Sequence, residues 1–176
     1  MNIDKIIINI FGPSTAGKST VSDLLRKEID RLYVVDFDVV KHQLTNYHWQ
    51  RDRAVMTDLS WRLLEQATST GLAILGLLPP PQSIDDNDKM KQIADAAGYT
   101  LLSVEITAPE SVLVARYKER LQKLEELGKV GHLKTLDEFV AILRKGYVRP
   151  DGTLSFDSSA LVPEEILGRL KQNLIK

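Results

Sequence analysis

The residues best suited to chemistry form one glycine-rich segment, Gly12-Pro13-Ser14-Thr15-Ala16-Gly17-Lys18-Ser19, which matches the spacing G-x-x-x-x-G-K-[ST]. Glycine at both ends allows backbone conformations and close approach that a side chain would obstruct, so successive N–H groups can surround a phosphate at a helix N-terminus. Lys18 would place positive charge on the β and γ oxygens, Ser19 would ligate Mg²⁺, and Thr20 would face the α-phosphate. The segment predicts an ATP·Mg²⁺ site; the alternative is a glycine-rich turn that binds nothing.

Two carboxylates, Asp36 and Asp38, directly follow the second apolar run of the sequence. Ligands of open α/β sheets bind outside the carboxyl ends of the strands, so we expect both near the phosphates. An extended Asp-x-Asp would direct both side chains to one side, because side chains alternate along a strand. We expect Asp38 to accept the proton of a substrate hydroxyl and Asp36 to steady magnesium. The alternative is that one of them caps a helix beginning at Val39.

A polar, aromatic and basic stretch follows these carboxylates, at residues 41–53. Arg51 or Arg53 could hold an anionic acceptor, and Tyr47 or Trp49 could stack on a ring. An exposed helix turn, with Trp49 and Trp61 serving as core, explains the same residues equally well.

The elements that must position these residues alternate between strand and helix. Buried, β-branched or apolar runs predict strands at residues 5–11, 32–35, 72–78, 99–106 and 154–156. Helical spacing predicts helices at residues 20–29, 39–70 in two pieces, 89–97, a helix ending at Leu127, one ending at Lys145, and one opening at Pro163. Each crossover is long enough to return parallel, which predicts a doubly wound, three-layer α/β fold in one domain spanning residues 1–176.

Local signals refine three of these helices. Val55, Leu59, Leu63 and Ala67 form an i, i+4 stripe that we expect to face the core. Thr107 and Thr135 each precede an acidic residue three positions later, the spacing of a capping box. Residues 83–88 are polar and predict a loop before the helix at Lys89.

Missing motifs narrow the class of phosphate-loop protein. The sequence lacks the N/T-K-x-D motif that reads guanine, and its one D-x-x-G match, Asp95-Ala96-Ala97-Gly98, does not directly follow an apolar run as the switch of small GTPases does. The third apolar run ends in Leu78-Pro79-Pro80-Pro81, without the acid that motor and transporter ATPases carry there. These absences favour a kinase over a GTPase or a motor.

The sequence resembles the nucleoside-kinase-like P-loop kinases, and most closely the branch that includes zeta toxins and chloramphenicol phosphotransferase. The resemblance lies in the glycine-rich segment, in Asp36-Phe37-Asp38, in residues 104–109 followed by Ala115-Arg116-Tyr117-Lys118-Glu119-Arg120, and in residues 156–159 and 163–167. It implies strand order 2-3-1-4-5, ATP as donor, and a small acceptor bearing a hydroxyl or phosphate.

The resemblance also implies a helical lid over about residues 116–146, with hinge freedom at Gly128 and Gly131. Arg116 and Arg120 match the family's lid arginines, which contact the donor nucleotide or its transferring phosphate. They lie four residues apart, so one helix face could present both cations to one phosphate group. A solvated basic face is the alternative.

Composition sets the remaining expectations. The formal net charge is −1, which does not favour nucleic acid as a partner and leaves a polynucleotide 5′-kinase the weaker hypothesis. The absence of cysteine, of a secretory signal pattern and of a membrane-length apolar run favours a cytoplasmic protein without disulfides. A second hypothesis is an ATP-binding regulatory or toxin-type module with little turnover of small molecules. No sequence signal indicates an oligomeric state.

Overall fold

A computed structural model describes residues 3–79, 84–127 and 135–174. Within them, five parallel strands form one sheet in the order β2-β3-β1-β4-β5. The strands are β1 Ile6–Phe11, β2 Tyr33–Asp36, β3 Ile74–Leu77, β4 Thr100–Thr107 and β5 Leu154–Asp157. The predicted doubly wound sheet and its strand order are therefore confirmed.

Helices connect and cover these strands. They are α1 Lys18–Glu28, α2 Phe37–His42, α3 Trp49–Ala67, α4 Ile84–Ala97, α5 Glu110–Glu126, α6 Leu136–Lys145 and α7 Pro163–Leu174, with a 3-10 turn at Thr68–Thr70. Helix α4 begins at Ile84, so the loop predicted over residues 83–88 is wrong for its described part. Four of the six residues at positions 83–88 are acidic or amide residues, a composition that is typical of a loop. The chain nevertheless forms the first turns of α4 from Ile84 onward.

Strand β1 is the central strand, and all six of its residues are buried. Side chains alternate across a strand, so Ile6, Ile8 and Ile10 pack with residues of α1, α5, α6 and α7 on one face of the sheet. Ile7 packs on the other face with residues of α3 and α4. The helices therefore form two layers around the sheet, as predicted.

The apolar stripe predicted to face the core from α3 is wrong at three of its four positions; only Ala67 is buried as expected. Val55, Leu59 and Leu63 are among the exposed large hydrophobic residues. The helix instead buries a neighbouring stripe: Met56, Ser60, Trp61, Leu64 and Ala67. Ser60 is tolerated in this stripe because its hydroxyl donates to the carbonyl of Met56, at 2.8 Å, so no polar hydrogen is left without a partner.

The two predicted capping boxes have opposite outcomes. At α6 the box is present, because Thr135 accepts from the backbone N–H of Glu138 while the Glu138 side chain accepts from the N–H of Thr135. At α5 it is absent, because Thr107 is the last residue of β4 and Pro109 is the N-cap without a side-chain hydrogen bond. Pairing with β5 holds Thr107 in the sheet, and this overrides the local signal.

None of the described helices is both long enough and apolar enough to cross a bilayer.

Candidate active site

The glycine-rich segment joins the end of β1 to the start of α1, which is the setting that a phosphate loop requires. Gly12 has a φ of +134°, and a Cβ atom built there would lie 2.0 Å from the carbonyl oxygen of Ile106 on β4. Gly17 is the N-cap of α1 in the left-handed region, with φ 93°. Glycine is needed at both positions, at the first by space and at the second by conformation.

Lys18 lies folded back across this loop. Its Nζ donates to the carbonyls of Gly12 and Pro13, at 3.0 and 2.7 Å. Burial lowers the pKa of Lys18 to about 8, while Asp38 and Asp36 raise it and Arg120 lowers it. The ammonium group is therefore held over the loop, within electrostatic range of two carboxylates and of Arg120 on α5.

The residues present suit a nucleotide with its magnesium ion. Ser19 and Thr20 carry exposed hydroxyls in the first turn of α1, directly after the glycine cradle. A hydroxyl and the nearby carboxylate of Asp36 are hard oxygen ligands, which Mg²⁺ prefers. Beside the loop, a cleft of about 290 Å³ is lined by Thr15, Gly17, Thr20, Arg116 and Pro163, among others.

The two carboxylates after β2 are not both extended, which corrects the sequence analysis. The strand ends at Asp36, and Phe37 already begins α2. Asp36 caps this helix by accepting a hydrogen bond from the N–H of Asp38 at 2.8 Å. One of the two carboxylates is therefore a helix cap, as the alternative proposed, but the helix begins at Phe37, two residues before the expected start at Val39. The helix forms here because Phe37 and Val40 pack against Met56 of α3.

Asp38 stands free of this capping role. Its side chain is 72% exposed and forms an ion pair with Lys41 at 2.6 Å. Asp38 is therefore an exposed carboxylate within electrostatic range of Lys18.

The two arginines of α5 that the resemblance assigns to a lid have different surroundings. Arg116 donates to the hydroxyl and carbonyl oxygens of Ser158, at 2.8 and 2.9 Å, and to the carbonyl of Thr15 at 3.4 Å. It thus joins the phosphate loop to the segment after β5. Arg120 is exposed and lies within electrostatic range of Lys18. Whether both contact one phosphate stays a prediction, and the hinge residues Gly128 and Gly131 lie outside the described residues.

Arg51 and Arg53 also differ. Arg51 donates to both carboxylate oxygens of Asp52, at 2.7 and 2.8 Å, and to the carbonyl of Asn46 at 3.1 Å. Arg53 lies over the ring of Trp49, with its guanidinium carbon 4.7 Å from the ring centroid. Trp49 is 39% exposed and Trp61 is 8% exposed, so only Trp61 is a core residue.

Sequence reasoning missed a buried polar cluster on β4. Glu105 is 2% exposed; it accepts from the hydroxyls of Tyr147, at 2.6 Å, and Ser155, and pairs with Arg149 at 2.7 Å. Burial and the Glu105 hydrogen bond raise the pKa of Tyr147. Tyr147 also meets Phe11 edge-on, with ring centroids 5.8 Å apart. The available signal was an acid inside an apolar strand, since such a residue needs buried partners.

This cluster joins the sheet to the chain that returns from α6. Phe11 precedes Gly12 and is paired in register with Glu105. The cluster therefore fixes the segment between α6 and β5 beside the base of the phosphate loop.

Comparison with solved structures assigns the architecture. A protein from Chloroflexus aurantiacus described as a candidate kinase has a TM-score of 0.72 at 18% identity, covering 95% of this chain and 97% of that one. The chain has the fold of the P-loop kinases.

Two further P-loop kinases agree with this. The APS kinase CysC of Mycobacterium tuberculosis, in complex with AMPPNP and APS, has a TM-score of 0.61 at 21% identity, with 99% of both chains covered. A gluconokinase from Sinorhizobium meliloti has a TM-score of 0.63 at 20% identity, covering 97% of this chain and 96% of that one. No family model and no curated protein matches the sequence.

Proposed function

We propose that the protein is an ATP-dependent phosphotransferase that moves the γ-phosphoryl group to a hydroxyl of a small molecule. The observation that carries this proposal is the convergence of charges on Lys18. Asp36 and Asp38 at the β2–α2 junction and Arg120 of α5 each act electrostatically on Lys18, which begins α1. This combination provides for a donor phosphate, an acceptor hydroxyl and the charge that develops between them.

The donor half comprises the phosphate loop and its neighbours. The backbone N–H groups of residues 12–17 would surround the β-phosphate, with Ser19 and Asp36 holding Mg²⁺. When bound, that ion supplies positive charge against the phosphate oxygens. The cleft beside Arg116 and Thr20 would take the remainder of the nucleotide, because it opens directly from the loop.

The acceptor half is proposed around Asp38. Its carboxylate would accept the proton of the acceptor hydroxyl as that oxygen bonds to the γ-phosphorus. The bond from the γ-phosphorus to the β–γ bridging oxygen breaks, and ADP leaves. Lys18 and Arg120 would stabilise the negative charge on the transferring group, and the acceptor must displace Lys41 from Asp38 or share it.

The lid is proposed over about residues 116–146. In the described residues, α5 and α6 pack on each other through stacked rings of Tyr117 and Phe139, whose centroids are 3.9 Å apart. This contact would let the two helices move as one unit that carries Arg120 toward the phosphates.

The structural neighbours support this reaction class, because they include a gluconokinase and an APS kinase in complex with AMPPNP and APS. Membership in the zeta toxin and chloramphenicol phosphotransferase branch is a finer proposal that rests on the sequence resemblance alone.

Acceptor-dependent ADP release tests the proposal. Release from ATP·Mg²⁺ is measured with and without a library of hydroxyl compounds, for the unchanged protein and for Asp38→Asn. Stimulation that disappears with Asp38→Asn supports the kinase. ATP binding without stimulation by any compound, unchanged by Asp38→Asn, supports the regulatory or toxin-type module instead.

A further inference from the structure

The first turns of α3 present a second polar site next to the proposed acceptor carboxylate. Trp49, Arg53 and Thr57 follow one another at i, i+4 spacing and so share one side of the helix. Tyr47 packs against the cluster of Phe37, Val40 and Met56, which joins α2 to α3. The site therefore lies against the helix that carries Asp38.

Three polar atoms in this site are buried without hydrogen-bond partners: the Nε of Arg53, the hydroxyl of Tyr47 and the hydroxyl of Thr57. Leaving a buried donor unsatisfied costs about 1–3 kcal/mol for each group. Buried polar atoms in native proteins nearly always have partners, so three in one place indicate that a ligand supplies the acceptors.

The charge of Arg53 has no ion-pair partner among the side chains that the structure describes, at residues 3–79, 88–127 and 135–174. Its guanidinium group lies over the ring of Trp49. Arg51, two residues earlier, is by contrast fully engaged by Asp52 and Asn46. An arginine guanidinium can contact an aromatic ring and still form two parallel hydrogen bonds to an oxyanion.

The site is electrostatically coupled to the proposed catalytic carboxylate. The pKa of Tyr47 is raised, first by burial; the charge of Arg53 lowers it, and the charges of Asp52 and Asp38 raise it. The Tyr47 hydroxyl thus lies within electrostatic range of both Arg53 and Asp38. One small molecule can then meet Asp38 at one end and Arg53 at the other.

We infer that the acceptor is a small alcohol that carries an oxyanion, with Arg53, Tyr47 and Thr57 holding the oxyanion while the hydroxyl faces Asp38. This inference rests on the proposed function for the hydroxyl end, whereas the oxyanion end stands on the contacts of α3. Carboxylate, phosphate ester and sulfate share the required chemistry, because each offers several acceptor oxygens to donors arranged around one point.

Binding of inorganic sulfate tests the oxyanion end without requiring turnover. Labelled sulfate is equilibrated by dialysis with the full chain, saturated with Mg²⁺ and a non-hydrolysable ATP analogue so that the phosphate loop is filled. We expect one saturable site whose Kd rises at least tenfold in Arg53→Met and several-fold in Tyr47→Phe. The matched control is Arg62→Met on the same helix, an exposed arginine paired with Asp58, which should leave the Kd unchanged. Absence of a saturable site, or equal loss in both arginine variants, overturns the inference.

Matched acceptors then identify the oxyanion and separate the two proposals. ADP release is compared for glycerol with glycerate and with glycerol phosphate, and for glucitol with gluconate. We expect kcat/KM to be at least tenfold higher for the charged acceptors than for the neutral ones, and this preference to be lost in Arg53→Met. Comparing kcat/KM for glycerate and glycerol phosphate then shows whether the site prefers a carboxylate or a phosphate. Turnover of neutral members with no charge preference overturns the inference and leaves the kinase proposal intact. Sulfate binding with no acceptor-stimulated turnover overturns the kinase proposal and leaves the oxyanion site intact.

Discussion

Gly12 lies so close to Ile106 that no side chain can occupy position 12. A Cβ atom there would be 2.0 Å from the Ile106 carbonyl oxygen, and that oxygen belongs to the backbone of β4, an interior strand of the sheet. The first glycine of the phosphate loop is therefore required by the sheet as well as by the phosphate.

Gly12→Ala is expected to lower the free energy of unfolding by about 1–3 kcal/mol, because either the loop or β4 must shift. Nucleotide affinity should fall with it. Gly168→Ala is the matched control, since this exposed glycine of α7 has no atom within 4 Å of an added Cβ. Alanine should raise stability there by up to about 1 kcal/mol. Urea unfolding of both variants checks this; a Gly12→Ala protein as stable as the unchanged chain contradicts the close approach.

ATP affinity should depend on pH through Lys18. Its pKa is about 8 in the free protein, so the ammonium form predominates below that pH, and bound phosphates favour that form. Affinity is therefore expected to be flat below pH 8 and to weaken above it, by up to about tenfold per pH unit, since binding then requires proton uptake. Lys18→Arg keeps its charge throughout, so its affinity should not change over the same range. A Kd measured by titration calorimetry that stays constant for the unchanged protein to pH 9.5 would contradict the lowered pKa.

The two lid arginines should affect different kinetic constants. Arg116 is bonded to Ser158 and Thr15 beside the nucleotide cleft, so Arg116→Ala should raise the KM for ATP about tenfold with little change in kcat. Arg120→Ala should lower kcat by about 10²-fold or more, because Arg120 is expected at the transferring phosphate. Steady-state kinetics of both variants at saturating acceptor measures the separation. Equal effects on kcat would instead favour two arginines on one phosphate.

The buried cluster on β4 should contribute to stability more than surface ion pairs do. Arg149→Ala leaves the buried carboxylate of Glu105 with two hydroxyl donors and no cation, which we expect to cost about 1–3 kcal/mol. Arg62→Ala, which breaks the exposed pair with Asp58, should cost less than about 0.5 kcal/mol. The comparison is made by urea unfolding at low salt. Similar losses in the two variants would show that the cluster is no stronger than a surface pair.

Sequence patterns predicted an element of the fold correctly where no tertiary contact competed with the local signal. Strand β1 is apolar at nearly every position, which predicted a strand buried on both faces, and this is confirmed; its place in the strand order was expected from the resemblance. The capping box predicted from the spacing of Thr135 and Glu138 is also confirmed, because Thr135 belongs to no strand and caps α6. At Thr107 the same pattern failed because β5 pairs with that residue.

The contacts of the candidate site were harder to predict from the sequence, because they join segments that lie far apart in the chain. The bond from Arg116 to Ser158 and the cluster around Glu105 cross 42 residues or more. Arg51 pairs with Asp52 whereas Arg53 lies over the ring of Trp49, and the spacing of the two arginines in the sequence predicts neither contact.

Helix α3 offers a direct check on the corrected core face. Leu64 is fully buried, whereas its neighbour Leu63 is 37% exposed. Leu64→Ala should therefore cost about 2–5 kcal/mol and Leu63→Ala less than about 1 kcal/mol. The stripe first predicted from sequence requires the opposite order, which the same unfolding experiment would reveal.

Transfer of the γ-phosphoryl group from labelled ATP to an acceptor is the most direct measurement of the central claim. Label should appear on a hydroxyl compound in the presence of Mg²⁺. Lys18→Ala should abolish the transfer, and Asp38→Asn should slow it by about 10²-fold or more while ATP still binds. Transfer that persists unchanged in Asp38→Asn would contradict the account, as would ATP binding without transfer to any acceptor.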